Sequence, residues 1–332
     1  MANDNGNYFL DLLIPTFNRA YVLEKNLELV FNILSSLDLQ KVVRVIISDN
    51  ASTDDTWSIL KTFKDRWGDS ILLHRNLTNI GLQANIIKAL ELSTSCYVMF
   101  LGDDDFIPID YWKTVMQMLC SSELVGVIIP KRQTITTEMT DEAIENCLTI
   151  IHKTKFSHHP SGWFSAWQLA SDCNQLSGIV YNRESLLDYW LEQKCSSLYP
   201  FMCFAGWSAL KKVSYRALNT PILVTEGARK DWGYGKDGLL GDILVNAQYV
   251  AKNNKLQRML GEIFLLWKWR DRIAMNWVRG NKEGQQCEIS LNQDERLLLT
   301  TRILLIPLSR ILKTKISLWR ATGRLQSPHI KT

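Results

Sequence analysis

The most informative stretch of the chain is YVMFLGDDDF, residues 97–106. Residues 97–101 are mostly apolar, and they run into Gly102 and three consecutive carboxylates at 103–105. A short apolar run that ends at a glycine is typical of a buried strand of a parallel sheet. Open α/β sheets bind their ligands beyond the C-terminal ends of such strands. The stretch therefore predicts a ligand site, and the alternative is an Asp-rich turn that only ends the strand.

The three carboxylates indicate a metal. Adjacent negative charges repel each other unless a cation lies among them. Mg²⁺ and Mn²⁺ bind carboxylate oxygens, and the phosphate oxygens of a substrate complete their coordination shell. Residues 103–105 therefore predict a Mg²⁺ or Mn²⁺ site that holds a phosphorylated ligand.

The part of the chain before this stretch alternates between strands and helices. Apolar residues at helical spacing predict helices at 21–37 and after Gly81, and apolar runs predict strands at 9–14, 42–48, 71–74 and 97–101. We expect Pro15 to end the first strand, and Ser52 or Thr53 to cap the helix after the second. This order predicts an α/β fold with a doubly wound, mostly parallel sheet and helices on both faces.

The loops between these elements carry candidate binding residues. Right-handed crossovers bring the loops to the same edge of the sheet as residues 103–105. Asp49 ends a strand there, and it can accept hydrogen bonds from a base or a ribose. No GxGxxG follows the first strand and no GxxxxGK[ST] occurs, which argues against a dinucleotide-binding fold and a P-loop NTPase. The first loop offers hydrogen-bond donors and one positive charge for phosphate: Thr16, Asn18 and Arg19.

The composition is that of an ordinary globular protein. With 332 residues, 46% of them hydrophobic and 22% charged, the chain is not extensively disordered. Seven cysteines without a CxxC pair predict the reduced thiols of a cytoplasmic protein. The first residues lack a signal-peptide pattern, and no run of about 18 uncharged apolar residues occurs, so we expect neither a signal peptide nor a membrane-spanning helix.

Four motifs resemble those of the family 2 glycosyltransferases, in the order and spacing of that family: PTFNR at 15–19, SDNASTDDT at 48–56, NIGLQANI at 79–86 and FLGDDDF at 100–106. The resemblance is strong over residues 8–130 and weak from there to residue 210. It implies a GT-A-like fold, with a Rossmann-like nucleotide-binding half and a helical C-terminal region. It also implies transfer of a sugar from a nucleotide-diphosphate donor to a hydroxyl of a lipid-linked glycan acceptor. Such reactions belong to bacterial O-antigen or capsule biosynthesis.

The resemblance implies a role for residues in each motif. Asp103 and Asp105 would be catalytic, with Asp103 facing the ribose or donor sugar and Asp105 ligating Mg²⁺ or Mn²⁺ on the diphosphate. The metal would act as a Lewis acid that neutralises the leaving diphosphate. Asp104 would lie beside the nucleotide sugar. The other contacts to the nucleotide sugar would come from the first three motifs: Thr16, Asn18, Arg19, Asp49, Asn50, Gly81 and Asn85.

The general base stays unassigned. Inverting members of the family carry a Glu-Asp-Trp type motif whose Asp deprotonates the acceptor hydroxyl, and the aligned residues here are Ala205, Gly206 and Trp207. Residues 226–241 are rich in glycine, which is typical of a loop that closes over a bound acceptor. The candidates for the general base are four acids: Glu192, Glu226, Asp231 and Asp237. The alternative for each is a solvated surface acid, since Asp and Glu are mostly exposed in proteins.

Two segments in the middle of the chain lack a clear pattern. Residues 131–155 are polar, and we expect them to be irregular. Residues 157–167 contain His158 and His159, and adjacent side chains on an extended chain point apart. We therefore expect a mobile loop rather than a metal site there, and the alternative is a loop that stacks on acceptor sugars. Residues 176–181 predict a strand, which the resemblance places on the acceptor side.

The C-terminal tail has no acidic residue after Glu295. Its apolar residues follow helical spacing opposite basic ones, and Pro307 is expected to break or kink the helix, with a break near it as the expected outcome. Such a helix suits the surface of an anionic membrane, so we expect a peripheral protein on the cytoplasmic face of the inner membrane. The alternative is packing on the protein's own helices or, in an oligomer, on a second subunit. Nucleic acid is not an expected partner, because the net charge is only +4.

Three regions follow from these patterns. We predict a glycosyltransferase domain over residues 1–215, an acceptor-side loop and helical region over 216–295, and the basic amphipathic tail over 296–332.

Two other functions stay open. A nucleotidyltransferase would also bind metal through aspartates, but its Gly- and Lys/Arg-rich loop after the first strand is absent from PTFNRA. A non-catalytic sugar-binding protein would tolerate the loss of Asp105, whereas this chain keeps all three carboxylates.

Overall fold

The protein is described by a computed structural model that covers residues 8–120, 124–136, 140–149, 154–184, 186–226, 239–278 and 293–321. The chain divides into two compact units. The first unit comprises Met1–Cys195 and Pro200–Arg229, and the second unit comprises Ser196–Tyr199 and Lys230–Thr332.

Strands and helices alternate over the first half of the first unit and less regularly after it. They are β1 (Leu10–Thr16), α1 (Ala20–Ser36), β2 (Val43–Asp49), α2 (Thr56–Trp67), β3 (Ile71–Arg75), α3 (Leu82–Glu91), β4 (Tyr97–Phe100), α4 (Ile109–Leu119), β5 (Val125–Ile129), β6 (Arg132–Thr136), α5 (Thr140–Cys147), β7 (Phe156–His159), α6 (Trp163–Ala170), β8 (Val180–Asn182), α7 (Leu186–Glu192), α8 (Pro200–Lys211), β9 (Val213–Ala217) and β10 (Ile222–Glu226). The second unit contains α9 (Leu239–Ala251), α10 (Lys255–Val278) and α11 (Leu299–Ala321).

The main sheet has eight strands in the order β3-β2-β1-β4-β8-β5-β9-β7. The first four of these are parallel to one another, as the sequence predicts. β8 runs antiparallel to both β4 and β5, and β7 runs antiparallel to β9. β6 and β10 form a separate parallel pair. The sheet is thus mixed but mostly parallel, and the predicted fold class is confirmed.

β1 lies at the centre of the parallel half, and every one of its residues is buried. The expectation that Pro15 ends this strand is wrong, because Pro15 pairs in register with Ser48 and the strand continues to Thr16. The pairing with β4 stops at Leu13. A proline lacks the N–H that a ladder needs, so it is tolerated where one edge of a strand has no partner.

The segments expected to be irregular are partly regular. Residues 131–155 contain β6 and α5, and residues 157–167 contain most of β7 and the start of α6. The predicted mobile loop at 157–167 is therefore wrong. His158 packs edge-on against Tyr215 of the neighbouring strand, and Trp163 stacks on Trp167 along one helix face. Pairing across the sheet, which the local sequence does not reveal, orders this polar stretch.

The second unit contains a buried acid. Glu262 of α10 has no solvent exposure, and it accepts hydrogen bonds from Arg258, from the Leu298 amide and from the Thr301 hydroxyl. These bonds tie the start of α11 to α10. The predicted break at Pro307 is wrong, because α11 continues across it. In the part of the chain that the structure describes, no helix combines the length and the apolar character needed to cross a membrane.

Candidate functional site

The loops after β1 and β2 are bonded to each other. Asn18 adopts a left-handed backbone conformation with φ of 53°. Its N–H donates to Ser52 Oγ at 2.9 Å, and its side-chain oxygen accepts the Thr53 amide at 2.8 Å. The Arg19 amide donates to Thr56 Oγ1 at 3.0 Å. The first two motifs therefore form one surface at the C-terminal edge of the sheet.

Asp49, the last residue of β2, has no solvent exposure. Its carboxylate accepts the Ser52 amide at 3.1 Å and the Ser52 hydroxyl, and it forms an ion pair with Arg75 Nε at 3.2 Å. The expected helix cap by Ser52 or Thr53 is wrong, because α2 begins at Thr56. Ser52 instead holds the Asp49 carboxylate, since a short hydroxyl side chain readily bonds nearby groups in a turn.

Four asparagines join the loops after β2 and β3 to the start of α3. Asn50 donates to Asn79 and accepts from Asn76, and Asn76 also donates to Asn85. Asn79 accepts the Gly81 amide at 2.9 Å, and Gly81 has a φ of 86°, which favours glycine. The network brings three predicted nucleotide contacts, Asn50, Gly81 and Asn85, into one connected group.

The three carboxylates lie on a tight turn. The Asp105 amide donates to the Gly102 carbonyl at 3.2 Å, so Asp103 and Asp104 occupy the two central positions. Asp105 is only 7% exposed. Its Oδ1 accepts the Thr225 amide at 2.9 Å, and its Oδ2 accepts the Ser177 hydroxyl. Asp105 is therefore buried and bonded to the protein, whereas Asp103 and Asp104 are partly buried at the centre of the turn.

Gly102 is required by the close approach of these partners. A Cβ at this position would lie 2.9 Å from Asp105 Oδ2 and 3.1 Å from Ser177 Oγ. The first distance is shorter than packed atoms allow and the second is tight, so a side chain here would displace Asp105 or Ser177. The glycine that ends the apolar run thus makes room for the buried Asp105 carboxylate.

Burial is the main cause that raises the pKa values of two of the acids. The pKa of Asp103 is raised to about 7 by burial first and by the Asp104 charge second, while the charge of Arg19 acts in the opposite direction. The Arg19 Nε lies 3.6 Å from Asp103 Oδ1. The pKa of Asp105 is raised to about 6 by burial first and again by Asp104, against the hydrogen bond from Ser177. Burial and the Asp104 charge therefore both disfavour the ionised forms of Asp103 and Asp105.

This donor set suits a divalent cation that arrives with a phosphate. Among the described residues, no three His, Cys, Asp or Glu side chains form a metal-binding group. Mg²⁺ does not need such a cage, because one or two carboxylates and substrate phosphates usually hold it. Of the three acids, Asp103 and Asp104 are placed for that role. Asp105 is the least suited, because its oxygens already accept hydrogen bonds from the protein.

The structure describes only some of the residues that were predicted as candidates for the general base. Ala205 and Gly206 are buried in α8, so no acid occupies the usual place. Glu192 is exposed at the end of α7. Glu226 ends β10, and its side chain lies outside the described part, as do Asp231 and Asp237. The general base therefore stays unassigned.

Several residues of the site were not predicted from the sequence. Ser52, Arg75 and Asn79 lie in or next to the motifs, so their positions at strand ends could have suggested them. The others lie far along the chain from the groups that they contact, and no local signal marks them: Asn26, Ser177 and Thr225.

Comparison with known proteins identifies the family. A family model described as glycosyl transferase family 2 matches residues 11–167. A GalNAc(5)-diNAcBac-PP-undecaprenol beta-1,3-glucosyltransferase of Campylobacter jejuni is 33% identical over 280 residues, which cover 81% of this chain and 84% of that protein. The chain belongs to glycosyl transferase family 2.

Two further comparisons place this glycosyltransferase in its fold class. An abequosyltransferase of Salmonella typhimurium is 31% identical over 101 residues, which are 30% of this chain and only 29% of that relative. A crystal structure of S. aureus TarS in complex with UDP-GlcNAc has a TM-score of 0.66 at 14% identity, and the match covers 95% of this chain and 92% of that one. The glycosyltransferase therefore has the GT-A fold, which confirms the fold that the motifs imply.

The burial of Asp49 gives a prediction for the nucleotide. Asp49→Ala should lower the free energy of unfolding by about 1–3 kcal/mol, because the buried Ser52 amide and hydroxyl lose their acceptor. If Asp49 also accepts a hydrogen bond from the base, nucleotide binding to the folded variant should weaken by about 1.5–3 kcal/mol. Calorimetric titration well below the melting temperature measures this. Ser52→Ala is the control, since it removes a partner of Asp49 but keeps the carboxylate. Unchanged nucleotide affinity in Asp49→Ala would make Asp49 a structural residue only.

Proposed function

We propose that this glycosyltransferase moves one sugar from a nucleotide-diphosphate donor to a hydroxyl of a lipid-linked glycan, in the assembly of a bacterial surface polysaccharide such as O-antigen or capsule. The observation that supports a nucleotide donor is the junction of the loops after β1, β2 and β4. There Arg19 pairs with Asp103, and Asn18 contacts the loop that Asp49 and Asn50 begin. A guanidinium that can bind phosphate and carboxylates that can bind a metal thus lie next to the buried polar residues Asp49 and Asn50.

The relatives support this choice of donor and acceptor. TarS is described in complex with UDP-GlcNAc, and the Campylobacter relative is named for transfer of glucose to an undecaprenol-linked glycan. We take a uridine-diphosphate sugar as the first donor to test and a polyprenyl-diphosphate-linked glycan as the acceptor. The family assignment favours sugar transfer over nucleotidyl transfer, which would use a different loop after β1.

The metal belongs to the same proposal. Asp103 and Asp104 would hold Mg²⁺ or Mn²⁺ on the diphosphate, and the ion would supply Lewis-acid neutralisation of the leaving group. Arg19 would contact the phosphate oxygens, because a guanidinium donates paired hydrogen bonds to them. Buried Asp105 would hold the turn that carries the other two acids.

A donor panel tests the proposal. The purified protein is incubated with UDP-, GDP-, dTDP- and CMP-sugars, with Mn²⁺ or with EDTA, and both thermal shift and donor hydrolysis are measured. A true donor should raise the melting temperature, because ligand at a hundredfold excess over its Kd stabilises the folded state by about 2.7 kcal/mol. Hydrolysis of at least one donor should depend on metal. No shift and no hydrolysis with any donor would instead support a non-catalytic sugar-binding role.

The exposed face of α11 supports binding to the cytoplasmic leaflet of the inner membrane. Leu299, Ile303 and Ile311 are 63%, 56% and 64% exposed, whereas Thr301 and Leu305 on the opposite side are fully buried. Arg310 is exposed seven residues, or two helical turns, after Ile303, and no acid occurs after Glu295, so this face combines apolar area with positive charge. That combination is typical of helices that lie in the interface of an anionic bilayer.

Flotation with vesicles measures this binding. The combined variant Leu299→Gln, Ile303→Gln and Ile311→Gln should lose vesicle binding at least about hundredfold, because each buried apolar side chain contributes about 1.5–3 kcal/mol. Thr300→Gln with Thr314→Gln, both exposed on the same helix, is the matched control and should float like the parent. Donor hydrolysis in solution should persist in both. If the apolar variant floats normally, or if it converts a dimer to a monomer instead, α11 contacts protein rather than lipid.

A further inference from the structure

The turn at residues 102–105 is held at both corners by side chains from distant parts of the chain. At the first corner, the Gly102 amide donates to Ser177 Oγ at 2.8 Å, and the Gly102 carbonyl accepts Asn26 Nδ2 at 3.3 Å. At the second corner, the Asp105 carbonyl also accepts Asn26 Nδ2, and the Asp105 carboxylate accepts Ser177 and Thr225. The corners are therefore fixed, and the central residues project from them.

Thr225 is the partner that reaches the centre of the turn. Its amide donates to Asp105 Oδ1 at 2.9 Å, and its hydroxyl donates to the backbone carbonyl of Asp104. β10, the strand that carries Thr225, also pairs with Phe106, the residue that follows the turn. Phe106 and Leu223 exchange both backbone hydrogen bonds, at 2.9 Å each. Four hydrogen bonds between described residues thus register β10 against the turn and the residue after it, and one of the four uses a side chain of β10, the Thr225 hydroxyl.

That side-chain bond is the one that fixes the Asp104 peptide. The bond between the Thr225 amide and Asp105 survives any substitution except proline, and it holds the corner. The peptide that follows the Asp104 Cα is held at its N–H by the Gly102 carbonyl and at its carbonyl by the Thr225 hydroxyl. Loss of the hydroxyl releases one end of this peptide, and it therefore changes the direction in which the Asp104 side chain leaves the turn. A displacement of a binding group by about 1 Å can reduce catalysis about hundredfold.

We infer that the Thr225 hydroxyl is a positioning residue for the donor diphosphate: it orients Asp104 at the centre of the turn. This inference rests on the proposed function, since the diphosphate is the ligand that Asp104 would face. Thr225 itself does not touch the reacting atoms. It links the β6–β10 pair to the donor end of the site.

The test compares variants that differ only in the hydroxyl. Thr225→Val keeps the shape, the amide and the β-branched side chain that suits a strand, whereas Thr225→Ser keeps the hydroxyl. Thr225→Val should weaken binding of the nucleoside diphosphate with Mn²⁺ and lower kcat for donor hydrolysis, each between about tenfold and hundredfold. Binding of the nucleoside monophosphate, which lacks the second phosphate, should stay unchanged. Thr225→Ser should lie within about threefold of the parent protein in all of these measurements.

Val224→Ala is the matched control for stability. Val224 precedes Thr225 in β10, so its side chain leaves the opposite face of the strand, and it packs against the core. The Val224→Ala substitution should lower the melting temperature without changing the ratio of the affinities for the nucleoside diphosphate and the nucleoside monophosphate. If Thr225→Val does not fold, Thr225→Ala supplies the same comparison.

Two results would overturn the inference. One is a Val or Ala variant that keeps the affinity ratio and kcat of the parent, and the other is a Val224→Ala variant that loses them equally. If the parent protein binds and hydrolyses no donor at all, the proposed function fails with it, and that outcome is visible before any variant is made.

Discussion

Replacing Asp104 by asparagine should reduce sugar transfer at least about hundredfold, the effect of removing one electrostatic contact to a developing charge. The melting temperature should stay within about 2 °C of the parent value or rise. The reason is the position of Asp104 at the centre of the turn. Its charge is the second cause, after burial, that raises the pKa values of both Asp103 and Asp105. Removing that charge relieves repulsion in the fold, and it takes one anionic ligand from the proposed metal.

Asp105→Asn is the matched comparison. An asparagine there presents an NH₂ group to one of the two donors, Thr225 N–H and Ser177 Oγ–H, that the carboxylate now accepts. We expect the free energy of unfolding to fall by about 1–3 kcal/mol, the penalty of an unsatisfied buried group. Donor hydrolysis measured on the folded protein should fall less than in Asp104→Asn.

A binding measurement distinguishes the roles of Asp104 and Asp105 without relying on activity. Binding of Mn²⁺ in the presence of nucleoside diphosphate is followed by the paramagnetic signal of the ion. Mn²⁺ binding should be lost in Asp104→Asn and retained in Asp105→Asn. The opposite result would support the role that the family motif implies for Asp105. Equal hydrolysis of the donor in EDTA and in Mn²⁺ would contradict a metal site at this turn altogether.

The sequence was sufficient to predict the first four strands, because each is a short apolar run followed by a polar loop with a recognisable motif. Their parallel order follows from the alternation with helices. The alternation therefore predicts that the loops that carry Asn18, Asp49 and Asp103 lie at one edge of the sheet. The ion pair of Arg19 with Asp103 shows that at least two of those loops meet.

The difference among the three aspartates could not be predicted. They are identical in type and adjacent in sequence, and what distinguishes them is contact with distant residues. The partners of Asp105 lie 72 and 120 positions along the chain, in Ser177 and Thr225. Such contacts have no local signature. A motif predicts that a carboxylate is present, but only the packing of the chain decides which carboxylate faces the ligand.

Local rules also failed where tertiary packing overrides them. Pro15 and Pro307 were expected to end a strand and to break a helix, yet β1 and α11 continue across them. β7 has the polar sequence FSHH and was missed, because its order comes from pairing with β9. Propensity is a weak guide for such segments, since burial and pairing decide their structure.

Asp11→Asn should have the largest effect on stability of any single substitution considered, a loss of about 3–5 kcal/mol in the free energy of unfolding. Asp11 is fully buried near the start of β1, in an otherwise apolar strand. Arg44 donates two hydrogen bonds to it, at 2.9 and 3.0 Å. The Ser93 hydroxyl and the amides of Thr94 and Ser95 donate three more. An asparagine would leave the Arg44 charge without its partner and turn an NH₂ group toward donors.

The same carboxylate should make the fold sensitive to acid. Burial acts to raise the pKa of Asp11, but the hydrogen bonds from Arg44, Ser93 and Ser95 outweigh it and hold that pKa below its usual 3.8. A depressed pKa in the folded state contributes stability above the unfolded pKa, and that contribution is lost as the pH falls below about 4. Denaturant unfolding at pH 7 and at pH 3 should therefore show a smaller loss of stability on acidification in Asp11→Asn than in the parent.

Asp65→Asn, an exposed position on α2, is the control and should change stability by no more than about 0.5 kcal/mol. Asp11 and Thr16 are at opposite ends of β1, separated by about 16 Å of extended strand. Donor affinity and kcat of the folded Asp11→Asn protein, measured at low temperature, should consequently equal those of the parent. A variant that kept full stability would show that the five hydrogen bonds contribute nothing net. One that stayed folded but lost activity would show that the two ends of β1 are coupled, because a substitution that acts only on the folding equilibrium leaves the folded site unchanged.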